Sequence, residues 1–189
     1  GEIGATAHAC NATDPDQVAA LFAALDENGG APTFVLYNAS RRAPGALTDL
    51  DPAEVKTAIE ISAFGGFLVA QQAARRMLLS GEGAIFFTGA SASVKGYPRS
   101  SSFAMGKFAL RGLAQSLARE LHPQGIHIAH FVIDGGIAAD HRDGRQNTAD
   151  QPDKWLEPDA IAETYMAILK QPRSAWTWEV EIRPWVETF

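Results

Sequence analysis

The sequence holds a single cysteine, Cys10, in 189 residues, so an internal disulfide cannot form and a small bridge-stapled scaffold is excluded. It has no apolar run approaching the roughly 20 residues a bilayer-spanning helix needs. It has no internal repeat and no basic block longer than the Arg41-Arg42 and Arg75-Arg76 pairs. With 16 Lys+Arg against 22 Asp+Glu the formal net charge is −6, which disfavours binding along a nucleic-acid phosphate backbone. The segments that follow the expected strands hold no pair of metal ligands at a usual spacing, so no metal is expected. These absences point to a reducing cytoplasm, with no nucleic acid and no membrane as partner. What is present, 46% hydrophobic and 20% charged residues, suits one domain over residues 1–189 that buries roughly 70% of its unfolded surface.

Apolar periodicity switches between short β-like runs and longer helical ones, the pattern of an α/β sheet with helices on its faces. Residues 5–10, 33–37, 83–88, 126–133 and 178–182 read as strands. Asp14-Pro15 and Asp51-Pro52 each supply an N-cap followed by proline at the first helical position, and Gly29-Gly30 stops the first helix. The second helix reads as one run over 51–79, the third as 102–121, and the last opens at Pro158. Strand alternates with helix throughout, so the sheet should be mostly parallel and a ligand should lie at the carboxyl ends of its strands.

The residues after each expected strand therefore carry the functional information. They are Cys10-Asn11-Ala12, Tyr37-Asn38-Ala39-Ser40, Thr88-Gly89-Ala90-Ser91 and Asp134-Gly135-Gly136-Ile137. All four are rich in small or amide residues that let a ligand approach the backbone, which suits a dinucleotide better than a metal.

At these points the chain resembles the short-chain dehydrogenase/reductase family. Cys10-Asn11-Ala12 is similar to the family's Asp-Val/Leu, and Asn38-Ala39-Ser40 to its Asn-Ala-Gly. Lys107, followed by Phe108-Ala109-Leu110, resembles the lysine of its Tyr-x-x-x-Lys motif, and Asp134-Gly135-Gly136-Ile137 falls where it has Pro-Gly-x-Val/Ile. The resemblance implies a Rossmann-like doubly wound, mostly parallel sheet and NAD or NADP as cofactor in the complete protein. It assigns Lys107 to the nicotinamide ribose, Asn11, Asn38 and Ala39 to the adenosine side, and Gly135, Gly136 and Ile137 to the carboxamide, with Ala12, Ser40 and Ser62 also on the cofactor side.

Three departures stand beside these matches. The family's tyrosine lies four residues before its lysine, where this chain has Phe103, and its serine lies thirteen residues earlier still, where this chain has Ala90. The family's helix asparagine aligns with Ser62, so Lys107 alone survives from the four-residue proton relay. The wider spacing of the enoyl-reductase branch gives Ser100 and restores no phenol. Loss of a general acid–base removes on the order of 10²–10⁴ in rate. Tyr97 and Ser91 are the candidates for a relocated hydroxyl, although Tyr97-Pro98 also reads as a plain turn. The family's glycine-rich turn and its first two strands are missing as well. The sequence opens on Gly1 rather than Met, directly ahead of an expected strand, and is read as a piece of a longer protein.

The remaining polar and aromatic residues have plainer readings. His127 and His130 fall on opposite faces of one strand and read as structural. His141 lies in the polar loop that resembles a substrate lid, Asp134 reads as a brace of its turn, and Trp176, Trp178, Trp185 and Phe189 read as cover for a core or a subunit contact. The helices 51–79 and 102–121 resemble the pair through which the family forms homodimers and homotetramers. Two functions follow: an oxidoreductase with an altered proton relay, or a catalytically silent relative kept for nucleotide binding or subunit pairing.

Overall fold

The computed structural model describes residues 4–141 and 144–188, so Phe189 of the aromatic tail lies outside the described residues. Asp14 caps α1 (Pro15–Asn28) by accepting hydrogen bonds from the backbone N–H groups of Asp16 and Gln17. Strand β1 (Phe34–Tyr37) follows, and Asp51 then caps α2 (Pro52–Ile59) through Ala53 N–H. The expected single helix over 51–79 is interrupted by a π turn, Glu60–Phe64, before it continues as α3 (Gly65–Ser80). The Tyr37 hydroxyl donates to the Ile61 carbonyl inside that turn, which fixes the widened ladder there. Strand β2 (Gly83–Thr88), helix α4 (Ser101–Leu121), strand β3 (Ile126–Ile133), helix α5 (Pro158–Leu169) and strand β4 (Glu179–Ile182) complete the order.

The four strands form one parallel sheet in the order β1-β2-β3-β4. One face buries Ile85, Phe87, Ile126 and Ile128 against Val18 and Phe22 of α1, Leu68 and Met77 of α3, and Leu110 and Ala114 of α4. The other buries Phe86, Ala129 and Phe131 beneath Tyr165 and Ile168 of α5, with the Tyr165 ring stacked on Phe131 at 3.6 Å between centroids. Each fully buried Ile or Phe contributes roughly 1.5–3 kcal/mol. Helices on both faces of a parallel sheet are the doubly wound arrangement the sequence implied.

Residues 5–10 are not a strand. A strand is stable only when a neighbour satisfies its N–H and C=O groups, and no described strand lies beside this segment. Strand β1 is consequently an edge, with Phe34 and Leu36 part-exposed. The aromatics of the carboxyl end do not gather into one cluster: Trp176 stacks on His127, Trp178 lies under Arg111, and Trp185 is exposed with its indole N–H on Asp153.

Close helix approach positions the site. A Cβ at Gly66 would meet Leu110 of α4 at 2.8 Å, and one at Gly106 would meet Ser62 of the π turn at 2.7 Å. These glycines seat α4 against α3 and so place Phe103 and Lys107 at the carboxyl end of the sheet.

Candidate active site

Segments leaving the carboxyl ends of β1, β2 and β3 border a cleft of about 760 Å³. Asn38 and Ser40 come from the first, Gly89 and Ala90 from the second, and Gly135, Gly136 and Ile137 from the third, with Phe103 and Lys107 of α4 alongside.

Lys107 is 2% exposed, and its ammonium donates to the Thr88 carbonyl at 2.6 Å. Burial, reinforced by the charge of Arg42, brings its pKa down to about 8. An ammonium carries three N–H donors, and Thr88 takes one of them. Phe103, 5% exposed, fills the place four residues before it; Lys107 Nζ lies 5.8 Å from its ring centre and the Arg42 guanidinium 3.9 Å. Ser102, buried at the start of α4, accepts from Ala43 N–H and donates to Ala43 C=O, which ties the loop carrying Arg42 to the helix carrying Phe103.

Behind the cleft floor lies a second polar cluster. Arg111 of α4 holds Glu179 through two hydrogen bonds of 2.6 and 2.8 Å, and Glu179 holds His130 Nδ1 at 3.0 Å. Burial brings the His130 pKa down to about 4 despite that carboxylate, so the ring is neutral at neutral pH. Among the described residues its Nε2 has no hydrogen-bond partner; it is buried against Gly89, where a Cβ would collide with the ring.

The other singled-out residues fall as follows. Asp134 is buried and paired with Lys95 at 3.0 Å and Arg183 at 2.8 Å, bracing the turn after β3. Ser62 is buried in the π turn, with its hydroxyl near the backbone of Arg41 and outside the cleft lining. The Asn11 side-chain oxygen accepts from Thr13, and Ala12 packs against the first core. Ala39 is exposed between its two cleft-lining neighbours. Ser91 opens a short 3₁₀ turn and Tyr97 is 45% exposed; neither hydroxyl lines the cleft.

Sequence reasoning did not reach Arg42 and Arg145, which line the cleft, and it gave His141, which also lines it, a plain loop role. For Arg42 a signal existed, because the Arg41-Arg42 pair directly follows Asn38-Ala39-Ser40 at the end of a strand. Arg41 turns out to Glu54 at 2.5 Å, whereas Arg42 turns in over Phe103. Among the described residues no group of His, Cys, Asp and Glu is placed to hold a metal, and no helix is long and apolar enough to cross a membrane.

A family model described as enoyl-(acyl carrier protein) reductase matches residues 1–178. The chain belongs to the short-chain dehydrogenase/reductase family. It is 30% identical over 131 residues to the 3-oxoacyl-[acyl-carrier-protein] reductase MabA of Mycobacterium tuberculosis, covering 69% of this chain and 53% of that protein. It is 31% identical over 135 residues to (+)-borneol dehydrogenase 1 of Salvia officinalis, covering 69% and 52%. The chain thus spans about half the length of these curated relatives. A solved short-chain dehydrogenase from Rhodopseudomonas palustris superposes with a TM-score of 0.78 at 34% identity, covering 95% of this chain and 74% of that one. The fold is shared as well with an alcohol dehydrogenase from the archaeon Thermococcus sibiricus solved with 5-hydroxy-NADP, with a TM-score of 0.80 at 20% identity over 96% and 75% of the chains.

Proposed function

We propose that this single Rossmann-type domain serves an NAD(P)-dependent oxidoreductase acting on a small-molecule carbonyl or alcohol, with a proton relay reduced to Lys107. The observation that carries this reading is the buried Lys107 ammonium on the cleft floor, donating to Thr88 while two N–H groups remain for a ligand's hydroxyls. Asn38, Ser40 and the backbone of Gly135, Gly136 and Ile137 surround it with the small, polar lining a dinucleotide requires. A nicotinamide, when bound, supplies or accepts a hydride. The chain's own residues orient and charge the site around it. Lys107 holds hydroxyls and, with a pKa about 8, keeps a transferable proton at Nζ near neutral pH. Phe103 excludes water beside it, and Arg42 adds positive potential where negative charge develops on a reacting oxygen. The adenosine-side contacts proposed for Asn11, Ala12 and Ala39, and the supporting role of Ser62, complete the cofactor side of this reading.

A second reading is favoured by one observation, the phenyl and methyl groups of Phe103 and Ala90 in the cleft wall. In it the protein binds nucleotide without turnover, or pairs with an active subunit. Subunit pairing, as a homodimer or homotetramer, fits the face where Phe67 of α3 and Met105 and Phe108 of α4 stay exposed.

The deciding experiment uses the full-length protein. NADH and NADPH binding is followed by cofactor fluorescence, then turnover over a panel of ketones and aldehydes, with Lys107→Met as control. Binding and turnover that are both lost in Lys107→Met support the oxidoreductase. Binding without turnover supports the silent reading, and no binding by either cofactor overturns the oxidoreductase and the nucleotide-binding form of the silent reading, leaving subunit pairing.

A further inference from the structure

Among the described residues that line the cleft, two carry a hydroxyl, Ser40 and Thr88. Thr88, the last residue of β2, turns its two oxygens to helices on opposite faces of the sheet. Its carbonyl takes the Lys107 ammonium of α4 at 2.6 Å, whereas its Oγ1 lies 3.0 Å from the Tyr165 hydroxyl of α5. Tyr165 is 8% exposed with its ring stacked on Phe131, and burial pushes its pKa up to about 12, so the phenol keeps its proton. A buried O–H without an acceptor is costly, and Thr88 Oγ1 is the partner within reach. Tyr165 therefore donates and Thr88 accepts. That direction leaves the Thr88 proton for a third group, and Thr88 is part-exposed on the cleft.

The hydroxyl pair stands on the β3 side of the cleft. Thr88 pairs with Phe131 in the register of β2 and β3, and β3 leads into Gly135, Gly136 and Ile137. There the parallel bridge between Ile137 and Leu156 uses the Gly136 carbonyl and the Ala138 N–H, at 2.9 Å each. The N–H and C=O of Ile137 itself consequently face away from Leu156. A primary amide can pair with those two groups at once, and its oxygen keeps a second lone pair for a hydroxyl donor.

We propose that Thr88 is a further cofactor-binding residue, whose hydroxyl, aimed by Tyr165 as its positioning residue, donates to the carboxamide oxygen of a bound nicotinamide and fixes which way the ring lies. The inference rests on the oxidoreductase reading. Lys107 is held by the Thr88 carbonyl and the carboxamide by the Thr88 hydroxyl, so one residue sets the spacing between the two contacts.

Calorimetry on the full-length protein tests it. NADH is compared with ADP-ribose, and NADPH with 2′-phospho-ADP-ribose, pairs that differ by the nicotinamide, in the parent, Thr88→Val, Thr88→Ser and Tyr165→Phe. Thr88→Val removes the hydroxyl with little change of shape, and should weaken the cofactor about tenfold while its nicotinamide-free counterpart stays within about twofold. Thr88→Ser should recover most of that loss. Tyr165→Phe leaves the hydroxyl in place but unaimed, and should cost about threefold on the cofactor alone. An unchanged cofactor affinity in Thr88→Val would overturn the inference while the oxidoreductase reading stands. So would an equal loss of cofactor and counterpart, or a Thr88→Ser variant as weak as Thr88→Val, because Thr88 would then serve only the shape of the cleft. A parent that binds neither cofactor overturns the oxidoreductase reading and this inference with it.

Discussion

Replacing Lys107 by methionine isolates the energetic cost of holding a charge on the cleft floor. Burial lowers the lysine pKa from 10.5 to about 8 in the folded protein, while the unfolded chain keeps the ordinary value. Between those two pH values the unfolded state binds the proton more readily than the folded one, so stability rises with pH across that window. Below pH 8 the folded protein carries the full penalty of the buried ammonium, and above pH 10.5 both states are neutral and the penalty is gone. At about 1.4 kcal/mol per pKa unit, the shift corresponds to about 3 kcal/mol. The thioether of the variant has no proton to lose. The unfolding free energy of the parent minus that of Lys107→Met should therefore climb by about 3 kcal/mol between pH 8 and 10.5. Titrations shared by both proteins, including those of Tyr37 and Tyr165, whose burial pushes their pKa up to about 12, cancel in the difference. Urea unfolding followed by circular dichroism at half-unit pH intervals measures it. A flat difference, or one that falls with pH, refutes the claim that Lys107 is held charged against its surroundings.

Phe103→Tyr restores a phenol beside Lys107 and Arg42 and should raise carbonyl turnover by about 10²-fold in steady-state assays; an unchanged rate would show that the phenol is not the missing part. Gly89→Ala drives a methyl group into the His130 ring and to 2.7 Å from the Phe131 carbonyl, and should lower the urea midpoint by an amount corresponding to about 1–3 kcal/mol. Asp134→Asn takes the charge from a buried carboxylate shared by Lys95 and Arg183 and should cost on the order of 2 kcal/mol, because Lys95 keeps contact with water; calorimetry should record a lower Tm. Met105→Glu with Phe108→Glu puts charge on the exposed face of α4, and light scattering of the full-length protein should show a smaller assembly than the parent.

Local chemistry was legible where it acts locally. The Asp14-Pro15 and Asp51-Pro52 pairs mark helix starts through hydrogen bonds made within three residues, and the structure puts both caps where those pairs stand. The strand expected over 5–10 failed because its β-like pattern needs a partner edge, which is a property of the assembled sheet. The π turn was hidden for a related reason. The Tyr37 hydroxyl that binds inside it comes from 24 residues away. At the site, the family resemblance supplied the offsets from Lys107 that singled out Phe103 and Ala90, and both line the cleft. Arg42 was out of reach because its inward turn depends on Glu54 taking Arg41 and on Ser102 holding Ala43, contacts between segments with no shared periodicity.

The π turn has a consequence for how this chain tolerates change. It winds one extra residue into the helix, so everything after it is rotated by about 100° relative to an unbroken α-helix. That rotation aims Gly65 and Gly66 at Tyr37 and Leu110. A deletion of one residue within 60–64 would look harmless to helix propensity, yet it would swing the glycine pair away and turn a bulkier side chain toward Leu110, unseating α4 and the lysine it carries. Length, rather than composition, is the guarded quantity in that stretch.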